Sequence, residues 1–375
     1  MKYVDEFRDG EKAAALTAAI GALADEIGAS AQKPLQLMEV CGGHTHSIFR
    51  YGIGGMLPAG IELVHGPGCP VCVLPMGRID DCIAIAERPE VVLATFGDAL
   101  RVPGSSKSLL QAKADGADIR TVYSPTDALA LARRLPDRDV VFFGLGFETT
   151  MPATALTILE AASGGVTNFS VFCNHVTIAP TMKALLDSPD LRIDGFLGPG
   201  HVSMVIGIEP YDFIARDYRK PFVISGFEPL DVLQSIWMVL QQIRDGRCEV
   251  ENQYLRVAAN AGNVAAQQAI TQVYELRPFF EWRGLGSIDH SGVRIRDGFA
   301  AFDAERRFAV PGVQIADPDA CRCGDVLKGV IKPWQCGLFG TTCTPQDPRG
   351  ALMVSSEGAC AAYHQYAGVR AEATS

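Results

Sequence analysis

The stretch that decides the fold runs from Leu35 to His46 and reads LQLMEVCGGHTH. A short apolar run, Leu35 to Val40, breaks at once into paired glycines, Gly42 and Gly43, flanked by a thiol and two imidazoles. In open α/β sheets ligands collect at the carboxyl ends of strands, and glycine lets the backbone turn sharply and approach a ligand. Cys41, His44 and His46 therefore suit a soft metal site, or a nucleophile with a nearby base. The plainer alternative is a tight turn with a buried Cys and a capping Thr45.

Seven further runs share this texture: Ile61 to His65, Val91 to Phe96, Ile119 to Tyr123, Val140 to Phe143, Phe169 to Cys173, Phe196 to Leu197 and Phe222 to Ser225. Several are apolar throughout rather than alternating, the pattern of strands buried on both faces of a parallel sheet. Helical or glycine-rich segments separate them. The fold class expected is α/β, with two similar parallel-sheet lobes and a helical, loop-rich C-terminal module.

A weak repeat suggests where the lobes divide. Cys41 is followed 25 residues later by Gly66-Pro67-Gly68, and Cys173 is followed 25 residues later by Gly198-Pro199-Gly200. Each Cys has a His two or three residues on, His44 and His175. Chance similarity of glycine turns is the alternative. The expected domains are residues 33–138, residues 139–230, and a module made of 1–32 with 231–375. Residues 12–28 predict an alanine-rich helix, Asp231 to Arg244 a second and Val257 to Leu276 a third.

The chain of 375 residues is 48% apolar and 20% charged, which argues for folded domains and against disorder. Its net charge is −10, from 43 acids against 33 bases without a basic block, which argues against nucleic-acid or anionic-lipid partners. Ala13 to Ala24 is too short to span a membrane, and the acidic start does not resemble an export signal. A cytoplasmic protein is expected. Its eleven cysteines then point to metal or redox chemistry rather than structural disulfides.

Those cysteines fall into groups. Cys69-Pro70-Val71-Cys72 follows a glycine-rich turn after a strand, the arrangement of a dithiol redox centre; half of a zinc knuckle would look the same, but no second such pair occurs. In the C-terminal module, Cys323, Cys336, Cys343 and Cys360 follow a Cys-x12-Cys-x6-Cys-x16-Cys spacing. Four thiolates there can hold an iron-sulfur cluster or zinc, and the lack of a two-residue spacer favours the cluster. By spacing alone Cys321 could replace Cys323. Cys82 and Cys248 read as structural. Glu148, Asn174, His175, His201 and Glu228 stand at strand ends of the second lobe and could line a polar cleft, although each alone would be a cap or turn. Two nucleotide motifs fail: Gly144-Leu145-Gly146 lacks a third glycine, and Gly104 to Ser108 lacks the glycine before Lys107.

Taken together, CGGHTH at 41–46, GPGCPVC at 66–72, FGDALRVPGS at 96–105, GFETT at 146–150, CNHV at 173–176, GPGHVS at 198–203 and the C-terminal CRCG, CGLFG, CTP and SSEGAC segments resemble the HypD family of hydrogenase maturation factors. The resemblance covers nearly the whole chain in order. One departure is Leu352, where relatives often carry another Cys; it lies outside the four-thiolate spacing. The resemblance implies a scaffold for the Fe(CN)2CO centre of [NiFe]-hydrogenase, with iron held between Cys41 and a thiol of a small HypC-type chaperone. A HypE-type protein would donate cyanide. His44 would orient or deprotonate beside Cys41, Cys69 and Cys72 would form the redox pair, a 4Fe-4S cluster would sit on Cys323, Cys336, Cys343 and Cys360, and Glu148 and His201 would work in the cleft. A free-standing iron-sulfur dithiol/disulfide oxidoreductase is the competing reading.

Overall fold

The computed structural model describes residues 4 to 373 apart from 311, 313 and 317, with side chains described as far as 366. Nine strands build two parallel sheets: β1 Leu35–Glu39, β2 Ile61–His65, β3 Val91–Thr95, β4 Ile119–Thr121, β5 Asp139–Gly146, β6 Phe169–His175, β7 Gly195–Pro199, β8 Phe222–Ser225 and β9 Val250–Asn252. One sheet has the order β2-β1-β7-β8-β9 and the other β4-β3-β5-β6. Every pairing within them is parallel. The expected α/β class is what the chain adopts. β3 and β6 are buried along their whole length, which is why their sequences run apolar without alternation.

The lobes are not sequential. After β1 and β2 the chain leaves to build the whole second sheet, then returns with β7, β8 and β9 to complete the first. Val91 to Ala94 of β3 pair with Asp139 to Phe142 of β5, so the expected boundary near residue 138 falls inside one sheet. The repeat fails for the same reason. Cys41 and Gly66-Pro67-Gly68 follow neighbouring strands of one sheet, whereas Cys173 lies within β6 of the other sheet and Gly198-Pro199-Gly200 closes β7 of the first.

The helix Gly10–Ile27 packs with the helix Pro229–Arg244 onto the first sheet, where Ile20, Leu23, Leu233, Ile236 and Leu240 meet Leu37, Leu63, Leu197 and Val223. These helices belong to that lobe's core rather than to the cysteine module, and residues 1–3 and 374–375 of the expected ranges lie outside the described residues. The expected helix from Val257 to Leu276 is only Val264–Val273. Gly262 takes a positive φ of 69°, Asn263 caps the helix with its side chain on the Ala266 N–H, and Tyr274–Leu276 is a strand. Beyond it come two small antiparallel pairs, Tyr274–Leu276 with Val293–Ile295 and Phe279–Trp282 with Gly286–Asp289, and then the loop-rich module. Lys332 of that module donates to the Leu63 carbonyl on β2, seating it beside the first sheet. Among the described residues no helix is long and apolar enough to cross a membrane.

Candidate functional site

The carboxyl ends of both sheets face one cleft. Its wall includes Val40, Cys41, Gly68, Pro70 and Val71 from the first sheet's loops, Phe96, Asp98 and Leu145 to Phe147 from the second, and His201 and Glu357. Cys41 sits between β1 and the helix Gly42–Arg50 in extended conformation, φ −149° and ψ 123°. The Gly42 N–H donates to the Gly68 carbonyl at 3.1 Å. A Cβ on Gly68 would run into the Cys41 backbone, and a Cβ on Gly42 into Glu357, so the two glycines bring three chain segments together at the thiol.

Beneath Cys41 lies a residue the sequence reading passed over. Glu39 is fully buried and accepts three hydrogen bonds: from the Cys41 N–H at 3.0 Å, from His65 Nδ1 at 2.7 Å and from the Thr45 hydroxyl. Its carboxylate ties β1, β2 and the first turn of the helix to one point. Burial pushes the Cys41 thiol well above its ordinary range, with Glu357 and Glu39 adding to the effect. Burial, then Asp98 and Glu39, likewise raise the Glu357 carboxyl. Within the free chain Cys41 is therefore a thiol, and a cation arriving beside it must displace the proton.

His44 does not hydrogen-bond Cys41 through its ring. Its Nε2 donates to the Ser225 carbonyl at 3.1 Å, leaving Nδ1 buried without a partner. The ring stacks on Phe227 with centroids 4.6 Å apart, and Phe227 stacks on His201 at 3.8 Å. Burial lowers both imidazoles, His201 to about 4, so this stack is neutral near pH 7.

Cys69 and Cys72 are joined as a disulfide with Cα atoms 5.2 Å apart, inside the ~4.4–6.8 Å range of such bonds. The Pro70 and Val71 between them line the cleft. On its other side the pair meets the C-terminal module: a Cβ on Gly358 would lie 3.0 Å from the Cys72 sulfur. That module encloses a small cavity lined by all five of its cysteines, Cys321, Cys323, Cys336, Cys343 and Cys360, with Leu338, Phe339 and Met353. Among the described residues no group of three or more His, Cys, Asp or Glu is placed to hold a single metal ion. The sulfurs surround a cavity instead.

A family model described as "HypD: Hydrogenase formation hypA family" matches residues 13–367. The hydrogenase maturation factor HypD of Rhodobacter capsulatus is 62% identical, over 99% of this chain and 100% of that protein. That of Escherichia coli K12 is 56% identical over 100% of both, and that of Cupriavidus necator is 52% identical over 98% of this chain and 97% of its own. The chain belongs to the HypD family.

Of the polar residues expected in the cleft of this HypD-family chain, only His201 lines it. Asn174 instead accepts from Arg78 Nε at 2.5 Å, in a network where Arg78 and Arg277 share Glu305. His175 lies against the Cys173 sulfur at 3.6 Å, and burial lowers its ring to about 3. Glu228 precedes the helix Pro229–Arg244 and pairs with Arg8. Asn174 and Glu228 are thus engaged by arginines and His175 by the Cys173 thiol, and none of the three lines the cleft.

Glu148 stands just behind the wall formed by Phe147 and Thr149. One oxygen accepts the Ile178 N–H at 3.1 Å, the other is buried without a partner, and burial pushes the carboxyl up to about 7. The folded pKa thus lies above that of an unfolded Glu, ~4.3, so its contribution is fully present below the unfolded pKa and is lost as pH rises through the folded one. Urea unfolding is expected to show stability falling by up to about 3 kcal/mol from this group between roughly pH 4 and 8, with Glu148→Gln flattening that part of the profile. An unchanged profile in the variant refutes the assignment.

Proposed function

We propose that this chain acts in hydrogenase maturation as the scaffold on which the Fe(CN)2CO unit is assembled, with Cys41 as its anchor for the iron. The carrying observation is the position of Cys41: a single thiol on the wall of the cleft between the sheets, apart from the Cys69–Cys72 disulfide and from the five-cysteine cavity. A soft thiolate suits iron carrying strong-field ligands. One thiol leaves coordination open for a second from a HypC-type chaperone, and the cleft gives a HypE-type thiocyanate donor a place to deliver cyanide.

The chemistry balances through the redox pair. In the reduced state the S–H bonds of Cys69 and Cys72 give way to the S–S bond, the donor's S–C bond breaks, and two electrons pass to the donor. The donor sulfur leaves as a thiol with one proton, and cyanide passes to iron with release of the other. The buried, neutral His44 and the apolar side chains of the cleft wall limit water around this transfer, while His201 stacks on Phe227 at the exposed rim. The C-terminal donor set fits a 4Fe-4S cluster: soft thiols around a closed apolar cavity, with Gly350 so near Cys321 and Cys323 that a Cβ would occupy the sulfurs' space. A cluster held there by Cys323, Cys336, Cys343 and Cys360 would supply single electrons; returning Cys69 and Cys72 to the dithiol takes two electrons and two protons. We place the protein in the cytoplasm, where thiols stay reduced.

The free-standing reductase reading shares the disulfide and the cavity but has no use for Cys41. Purified anaerobically with its small partner, the wild-type complex is expected to show infrared bands of iron-bound cyanide and carbon monoxide. Cys69→Ser is expected to keep the cluster's visible absorption and lose the cyanide bands. Cyanide bands of normal intensity in that variant would remove the dithiol from the reaction.

A further inference from the structure

A four-iron cluster takes four thiolates, yet five line the cavity, and this chain places the extra one with care. Cys321 and Cys323 stand two residues apart at the start of the short helix Cys323–Leu327. The Cys321 thiol donates to the Cys323 sulfur at 3.2 Å. Both sulfurs press on the same glycine: a Cβ on Gly350 would lie 2.5 Å from Cys323 Sγ and 2.6 Å from Cys321 Sγ. The fold therefore makes equal room for two sulfurs at one corner, whereas Cys336, Cys343 and Cys360 are separated from one another along the chain. Cys323 is buried and Cys321 is half-buried at the rim.

We infer that Cys321 and Cys323 form one ligand position with two interchangeable occupants, Cys323 at rest and Cys321 in reserve. This rests on the cavity's being a cluster site. In the resting arrangement Cys321 holds its proton and donates it as a hydrogen bond to the Cys323 sulfur, a contact that draws charge from a bound thiolate. In the exchange Cys321 gives that proton to Cys323 along the same contact. One iron–sulfur bond replaces another, no electron is transferred, and no outside reagent is needed. A position of this kind lets one corner open to solvent and close again, and it preserves the site when the inner thiol is damaged.

The test compares Cys321→Ala, Cys323→Ala, the double variant and Cys336→Ala, each reconstituted anaerobically and assayed for iron, sulfide and visible absorption. The expected result is that both single variants at the pair retain wild-type iron and sulfide, with reduction potentials that differ from each other, while the double variant and Cys336→Ala lose the cluster. Loss in Cys323→Ala equal to that in Cys336→Ala overturns the inference. Alkylation followed by peptide mapping gives a second readout in folded wild-type protein and in Cys323→Ala: Cys321 is expected to be modified in the first and protected in the second, and modification in both would refute the exchange. If the wild-type chain holds zinc and no iron, the cluster reading fails by itself, and zinc content across the same four variants decides whether the pair is interchangeable.

Discussion

Cys41→Ser in the complex with the small partner is expected to abolish the infrared bands of iron-bound cyanide and carbon monoxide while leaving the cluster's visible absorption at wild-type strength. The two atoms are nearly isosteric, and Cys41 makes its structural contacts through its backbone, with the N–H on Glu39 and the carbonyl on the His44 N–H. Folding should therefore change by no more than about 1 kcal/mol. What changes is the donor. A hydroxyl in a pocket that already holds Glu39, Asp98 and Glu357 resists ionisation more than the thiol does, and a hard alkoxide is a poor partner for iron with soft ligands. The cysteine cavity shares no side chain with this point, so its absorption is the internal control. Retained bands in Cys41→Ser would move the iron elsewhere and leave the reductase reading standing.

Much of the scaffold was legible because burial on both faces leaves a mark on each strand separately. All eight expected runs are strands, most within two residues of their expected ends. Which sheet a strand joins is a different kind of fact. β3 and β5 look alike in sequence to β1 and β7, and nothing local says that the chain crosses to the second sheet after β2 and returns at β7. The cleft residues fail similarly. A polar side chain at a strand end reads the same whether it faces a ligand or an arginine, and the partners that claim Asn174 lie 96 residues away at Arg78 and, through it, at Glu305. The cysteine groups were legible because spacing carried them, and the structure brings all five C-terminal thiols to one cavity and pairs Cys69 with Cys72. Glu39 left a signal that went unread: an acid inside a strand whose last three residues are buried, two positions before the thiol.

That acid carries the second large effect. Glu39→Ala is expected to destabilise the chain by about 3–5 kcal/mol in urea unfolding, because three buried donors lose their acceptor at once and each unpaired group costs on the order of 1–3 kcal/mol. Relaxation recovers part of the sum. His65, held at 2.7 Å, can turn toward Phe49 and Tyr363, whose rings already flank it at 5.2 and 5.7 Å. The Cys41 N–H has no such freedom, since Gly68 packs against the same backbone. Glu39→Gln separates shape from charge. The amide keeps one acceptor for the Cys41 N–H, and its NH2 can donate to His65 if that ring moves its proton to Nε2, so the expected loss is smaller, about 1–2 kcal/mol. The order Ala worse than Gln follows only if Glu39 works as an acceptor shared among β1, β2 and the helix. Equal losses in the two variants would instead assign the effect to negative charge alone, and a loss below about 1 kcal/mol in Ala would mean that water replaces the carboxylate and the network under Cys41 contributes nothing.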